Sequence, residues 1–276
     1  MQFRVGFWDV CRGGMHKLPL LDRLDADLLL LLAVSPKSGH SYRQHWEDRY
    51  DCAVALELTT SGHRRPHGAM VASRWPITDA WVIDELPLPE RGLVARIDHP
   101  RGRLTAVSWG TPNAAGNTRP VKEAAYRHMA AYLPSLPRPL VVGIDTNSWY
   151  DPSSQSVGLE PDTRQPAEHG FLHRGAAHGL VDVYRALVDA EPHRARLLTE
   201  LRPHGPMATT FIRRPHRQPR RIAADFEAGR AFGLDRMDRL FVSAEVTPFA
   251  CEHLYHESLD VGGDHAAVVA DLALRR

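Results

Sequence analysis

The sequence predicts an α/β protein in which two packed β-layers carry helices on their outer faces, folded as one domain over residues 1–276. Three observations predict it. Short β-like runs recur along the whole chain, convincing helices are few and lie between them, and no repeat or linker-like stretch divides the chain. Many strands with few interspersed helices suit two stacked sheets better than one open sheet. Composition agrees, since 43% hydrophobic and 24% charged residues are ordinary for a soluble globular protein. A chain of this length buries most of its apolar surface without a disulfide or metal staple, which excludes disordered, collagen-like and disulfide-scaffold classes.

The chain enters an apolar alternation at once, with a first run over Phe3–Val10 and no long apolar leader before it. Leu18–Leu24 is a short amphipathic segment. The run Leu28–Val34 is continuously apolar, as a strand covered on both faces should be, and at seven residues it is far too short to span a bilayer. Further strand-like runs follow at Val54–Leu58, Gly68–Ser73, Val94–Ile97 and Leu104–Trp109. Apolar residues at 121, 125, 129, 132 and 133 then predict a helix, which Pro134 stops. The remaining runs are Leu140–Ile144, Thr209–Ile212, Arg239–Val242 and Ala266–Ala270. Glycine and proline punctuate residues 110–120, 150–175 and 200–230, which read as long loops of the kind that carry function.

A net charge of +1 selects no partner by itself. The 34 basic residues include only three lysines, however, and six arginines crowd Arg202–Arg221 without one acidic residue. Arginine recognises phosphate in a planar, bidentate way, so this stretch reads either as a solvated basic loop or as one facing phosphate. Cys11, Cys52 and Cys251 form neither a disulfide framework nor a metal motif, which points to a reduced, cytoplasmic setting. His40, His45, His63 and His67 match no compact zinc spacing.

Chemistry gathers at strand ends. Asp9 closes Phe7-Trp8-Asp9-Val10; Asp145-Thr146-Asn147 follows the apolar Leu140–Ile144; Arg236-Met237-Asp238 opens the strand ending near Val242; and Gly263-Asp264-His265 precedes the last run. Singly, each could be a turn or a helix cap.

In this order they resemble the endonuclease/exonuclease/phosphatase superfamily, over nearly the whole chain. Phe7-Trp8-Asp9-Val10 resembles its opening Trp-Asn-Val strand, and Asp27 to Val34 its Asp-hydrophobic-Gln-Glu-Val strand. The stretch Gly68 to Pro76 is similar to the segment ending in Ser-Arg-x-Pro, and Pro112-Asn113 to the Pro-Asn loop. Gly143 to Asn147 is similar to Gly-Asp-x-Asn, while Arg236-Met237-Asp238 and Asp264-His265 resemble Arg-Ile-Asp and Ser-Asp-His. The resemblance implies a DNase I-like four-layer sandwich and a metal-dependent phosphoester hydrolase, a phosphodiesterase or nuclease before a phosphomonoesterase. It implies Mg²⁺ or Mn²⁺ held by Asp9 and Asp264, and Asp145 orienting or deprotonating the attacking water. His265 would lie against the phosphate with Asp238 orienting its ring, and Asn147 would donate to a phosphoryl oxygen. Trp109, Asn113, Trp149 and Arg236 are read as touching substrate, the tryptophans as stacking walls. Nucleic acid is a candidate partner beside other phosphate-bearing substrates; a membrane is not.

Three positions depart from the family pattern. Ala33 stands where the metal-binding Glu is expected, Asp9 where an Asn is, and Gly110 where a His or Tyr precedes the Pro-Asn loop. Ala33 leaves three accounts open: an inactivating substitution, compensation by Asp9, or a fold turned to other chemistry or to binding alone. The rival to hydrolysis is therefore a repurposed member of the same fold that handles a small molecule without the usual metal.

Overall fold

The computed structural model describes residues 1–59, 66–112, 118–148, 166–173, 175–191 and 236–275. Among them, twelve strands form two six-stranded sheets. The first sheet comprises β1 (Gln2–Arg12), β2 (Leu28–Val34), β3 (Asp51–Val54), β4 (Gly68–Ser73), β11 (Val246–Leu254) and β12 (Ala267–Leu274), in the order β11-β12-β1-β2-β4-β3. The second comprises β5 (Ile77–Val82), β6 (Gly92–His99), β7 (Gly102–Gly110), β8 (Leu140–Asp145), β9 (Val181–Asp182) and β10 (Asp238–Val242), in the order β5-β6-β7-β8-β10-β9.

The side-chain alternation explains the four layers. In β1 and β2, Phe3, Val5, Phe7, Leu28, Leu30 and Leu32 turn inward, against Leu93, Ala95, Ile97, Leu104, Ala106 and Val141 of the other sheet. Trp8, Val10, Leu29 and Leu31 turn outward and are covered by α1 (Leu18–Arg23) and α2 (Pro36–His45). The outer face of the second sheet packs under α4 (Arg119–Tyr132) and α5 (Pro166–Leu172). Strands covered on both faces have no polar stripe, which is why β2 reads as unbroken Leu. Gly143 lets the Phe7 ring of the other sheet pack against the β8 backbone: a Cβ there would lie 2.3 Å from it.

Ala33 interrupts this alternation. Leu31 lies opposite Met70 and Val34 opposite Gly68, so β2 carries one extra residue between them. Val34 consequently joins the outer cluster, although strict alternation from Leu32 would turn it inward. Ala33 is a β-bulge, in the left-handed region at φ 53°.

Several expectations need correction. Residues 55–58 form a helical turn, α3 (Ala55–Leu58), and the strand there ends at Val54. Also unforeseen are β5, β11, α2, α5, α6 (Val183–Ala190) and α7 (Tyr255–Asp260). Helix α2 is too polar to show an apolar stripe, yet its signal was present: Ser35 caps it by accepting from the Ser38 N–H, and Pro36 follows at the first helical position. The strand expected at Thr209–Ile212 lies outside the described residues. No described helix is long and apolar enough to cross a membrane.

Candidate active site

Topology brings the acidic motifs to one edge. Strand β1 runs parallel to β2 and antiparallel to β12, while β8 runs parallel to β7 and antiparallel to β10. The C-terminal ends of β1 and β8 therefore meet the N-terminal starts of β12 and β10. Asp238 lies directly opposite Asp145 in the β8–β10 ladder. Ligand atoms of Asp9, Asp145 and His265 all lie within 4.8 Å of one another.

His265 and Asp238 form a buried pair, with Nδ1 2.7 Å from the carboxylate Oδ2. This is the reach expected of an imidazole and the group that orients it. Burial works against the imidazolium, but Asp238, Asp9 and Asp145 outweigh it and hold His265 well above the ordinary histidine range. Burial pushes the Asp238 carboxyl up, against the pull of His265. Asp145 is only 2% exposed, and burial pushes its carboxyl up to about 6; His265 opposes that rise and Asp9 adds to it. A carboxyl poised there can take a proton from water near neutral pH.

Asn147 holds that carboxylate. Its backbone N–H donates to Asp145 Oδ1 at 2.9 Å, and its side-chain amide donates to Asp145 Oδ2 and, at 3.0 Å, to the Thr111 carbonyl. Both amide hydrogens are thus engaged, which corrects the expectation that this group donates to a phosphoryl oxygen. The turn that permits these bonds puts Asn147 at φ 45°, a conformation Asn tolerates better than most residues.

Two residues at this edge escaped sequence reasoning. Thr111 donates to the Asp145 carbonyl from both its N–H and its Oγ1, at 2.9 and 3.1 Å. Arg91 donates to the Thr111 carbonyl at 2.9 Å, and its positive charge favours the ionised form of Asp145. Arg91 sits in a short 3-10 turn ahead of β6, and nothing in its neighbourhood of sequence marks it.

The expected metal side is less regular. Asp9 belongs to the close group with Asp145 and His265, and Asp264 lies outside that group. Burial, and then Asp264, push the Cys11 thiol up to about 11. Lys17 is buried beside the same acids: its ammonium donates to the Val10 carbonyl at 2.5 Å and lies 5.3 Å from the Trp8 ring centroid. Burial lowers its pKa, while Cys11, Asp264 and Asp9 pull it back up. Asp264 keeps one buried carboxylate oxygen, Oδ1, without a hydrogen-bond partner.

Two substrate contacts are corrected. Trp109 is 1% exposed and packs edge-on against Tyr126 and Phe171 beneath the helices, so it is core and no stacking wall. Arg236 is equally buried; it makes a bidentate pair with Asp182 at 2.7 and 2.6 Å and lies over the Tyr184 ring. A guanidinium committed in this way cannot also receive phosphate. Asn113, Trp149 and the Arg202–Arg221 segment lie outside the described residues.

Two mixed six-stranded sheets with flanking helices have counterparts among solved structures. An endonuclease/exonuclease/phosphatase from Bacteroides vulgatus is 15% identical, with a TM-score of 0.64 and 100% of each chain covered. The chain has the DNase I-like fold of that superfamily. The 3'-5' exonuclease from Neisseria meningitidis superposes over 99% of this chain and 100% of its own, at 18% identity and TM-score 0.63. An AP endonuclease from Archaeoglobus fulgidus does so over 97% and 98%, at 15% identity and TM-score 0.61. No protein-family model matches the sequence, and no curated protein is similar to it. The DNase I-like likeness is therefore one of fold, and the chemistry has to be argued from the side chains.

Proposed function

We propose that the chain is a phosphoester hydrolase that prefers phosphodiesters, nucleic acid among them. The observation that carries this reading is the placement of Asp145 opposite the Asp238–His265 pair. A base and a stable imidazolium then face one small volume, as water attack on phosphorus requires. Asp145, steadied by Asn147, accepts a proton from the attacking water. His265, oriented by Asp238, meets the phosphoryl oxygens with the positive charge of its imidazolium. The bond to the ester oxygen breaks as the new P–O bond forms, and that oxygen leaves as its anion, which takes a proton from solvent while Asp145 later returns its own to water. With a single imidazolium among three carboxyl groups the site has little positive charge, so it repels a monoanionic diester less than a dianionic monoester.

The residues also fit a divalent cation, weakly. Asp264 Oδ1 is buried and unpartnered, and Asp9 supplies a second carboxylate. Ala33 offers no third ligand, and the Lys17 ammonium beside both acids opposes a second cation. Asp9 and Asp264 would hold Mg²⁺ or Mn²⁺, which tolerate several waters in their shell. When bound, such an ion supplies charge to the phosphoryl and leaving oxygens.

The test compares bis(p-nitrophenyl) phosphate, p-nitrophenyl phosphate and a labelled DNA duplex, with EDTA or added Mn²⁺, in the natural protein and in Asp145→Asn and His265→Gln. Hydrolysis of the diester, lost in both variants, is expected. Hydrolysis of none of them, or hydrolysis that survives both substitutions, overturns the reading. Ala33 and Gly110 favour one rival, a cleft that binds a small phosphate-bearing molecule without cleaving it. In that case ligand binding persists in Asp145→Asn and no product forms in any of the proteins.

A further inference from the structure

Behind the site lies a charged cluster that the hydrolytic reading does not use. Lys122 of α4 is 1% exposed and Glu168 of α5 is 3% exposed, and Lys122 Nζ lies 2.9 Å from Glu168 Oε2. Desolvating such a pair costs more than a surface pair returns, so it is a weak device for stability alone. The Lys122 ammonium also lies over the Tyr126 ring at 5.8 Å, and the pair's hydrogen bonds reach one turn. Lys122 Nζ donates to the Asn147 carbonyl at 2.8 Å, and the Ser148 hydroxyl donates to Glu168 Oε1. Tyr126, one helical turn after Lys122, donates its hydroxyl to the Thr146 carbonyl at 2.7 Å. Glu123 in turn accepts from the Ala167 N–H, so α5 is anchored to α4 at its start. Three consecutive residues, Thr146, Asn147 and Ser148, are thus gripped from behind by buried groups on two helices.

We propose that the buried Lys122–Glu168 pair is a positioning device, holding the 146–148 turn so that Asn147 keeps its hydrogen bonds to Asp145. The inference rests on the reading of Asp145 as the acting base, and it concerns different residues. Asn147 stays left-handed only while its surroundings over-determine that conformation. With the Nζ donor gone, the Asn147 carbonyl has no partner in the interior and the turn relaxes towards water. The side-chain amide then leaves Asp145 and the carboxylate loses its fixed direction. Neither Lys122 nor Glu168 approaches the position of a substrate, so substrate affinity has no reason to change.

The experiment uses the full chain, Lys122→Met, and the apolar double variant Lys122→Met with Glu168→Leu. Replacing both members of a buried pair by apolar residues restores most of the stability lost on removing one. It does not restore the donor to the Asn147 carbonyl. Two readouts are taken: the side-chain amide ¹H–¹⁵N signals of Asn147, assigned by their loss in Asn147→Ala, and kcat and KM for bis(p-nitrophenyl) phosphate. In both variants the Asn147 amide signals should move to solvent-like shifts and lose protection from exchange. The expected fall in kcat is about 10- to 100-fold, the usual effect of removing a group that orients an acting residue, with KM nearly unchanged. A double variant with natural stability, natural Asn147 signals and natural kcat overturns the proposal and leaves the pair a packing feature. If the natural protein cleaves no phosphoester, the proposed function has failed, and the Asn147 signals still decide whether the pair holds the turn.

Discussion

Replacing Asp145 by Asn should stabilise the fold at neutral pH and stop hydrolysis. Folded, this carboxyl keeps its proton up to about pH 6, against an ordinary value of 3.8. Between those values the native state binds the extra proton, so stability is full at low pH, falls as pH rises through the window, and stays reduced above it. A gap of just over two units, at 1.36 kcal/mol each, makes the penalty about 3 kcal/mol at neutral pH. Asparagine carries no charge and escapes it. The new amide can keep the bond from the Asn147 N–H, but it then turns an N–H towards the Asn147 side-chain amide, and losing that hydrogen bond costs about 1 kcal/mol. The net expectation is a variant more stable by about 2 kcal/mol at neutral pH and slightly less stable near pH 4. Urea melts of both proteins at the two pH values read the difference directly, and turnover measured on the same samples should fall by at least about 100-fold. A stability difference independent of pH would refute the picture of a buried, proton-poised Asp145, and the assignment of the base with it.

Four other perturbations separate the remaining roles. Ala33→Glu should raise Mn²⁺ affinity by more than about tenfold in calorimetry, since a first ligand matters at least as much as an outer partner; a flat titration would show that the bulge points its side chain away from the ion. Asp238→Asn should lower kcat by about 10- to 100-fold in the folded protein, because His265 loses both its orienting acceptor and the nearest charge sustaining its imidazolium; a natural kcat would give Asp238 a structural role. Arg236→Ala should destabilise by about 1–3 kcal/mol, because Asp182 loses its two-pronged partner and keeps only the Arg239 guanidinium at 3.5 Å and the Arg185 N–H, while residual folded protein keeps its natural KM. If the Arg202–Arg221 segment follows duplex DNA through two or three arginines, log affinity against log salt should have a slope of roughly −2 to −3; a slope unmoved by changing Arg213, Arg214, Arg217, Arg220 and Arg221 to Ala would remove nucleic acid as a partner.

The sequence makes the strand ends legible and leaves the side-chain faces illegible. Asp145 and Asp238 stand out because each is an acid at the end of an apolar run, one closing it and one opening it, and the order of the motifs supplies the topology that brings them face to face. Trp109 ends a strand in the same way, but β7 is covered on both faces, and only the helices above it show that the indole is core. Arg236 misleads for a related reason: a buried arginine is rare, so exposure is the natural expectation, and its partner Asp182 is 54 residues away in sequence. Arg91, Thr111, Lys122 and Glu168 are invisible for want of any local pattern. Arg91, Thr111 and Lys122 each act on a backbone carbonyl, and Glu168 on the Ser148 hydroxyl and Lys122; such contacts leave no signature in a sequence.

The two halves of the site are supported to different degrees by their surroundings. The proton-handling half sits on β8 and β10, where Asp145, Asn147 and Asp238 are each fixed by at least one hydrogen bond and backed by buried groups. The charge-handling half sits on β1, β2 and the segment before β12: both strands are bulged, Cys11, Arg12 and Ala33 are left-handed, and Asp264 keeps an unpartnered oxygen. Positioning a base and a water is therefore well supported, while neutralising the leaving oxygen is not. Leaving groups that depart as stable anions need little help at that oxygen, whereas a sugar alkoxide needs a cation or a proton. The site as built should thus discriminate between esters by leaving-group acidity far more steeply than by the rest of the substrate, and added Mn²⁺ should flatten that dependence by supplying what Ala33 does not.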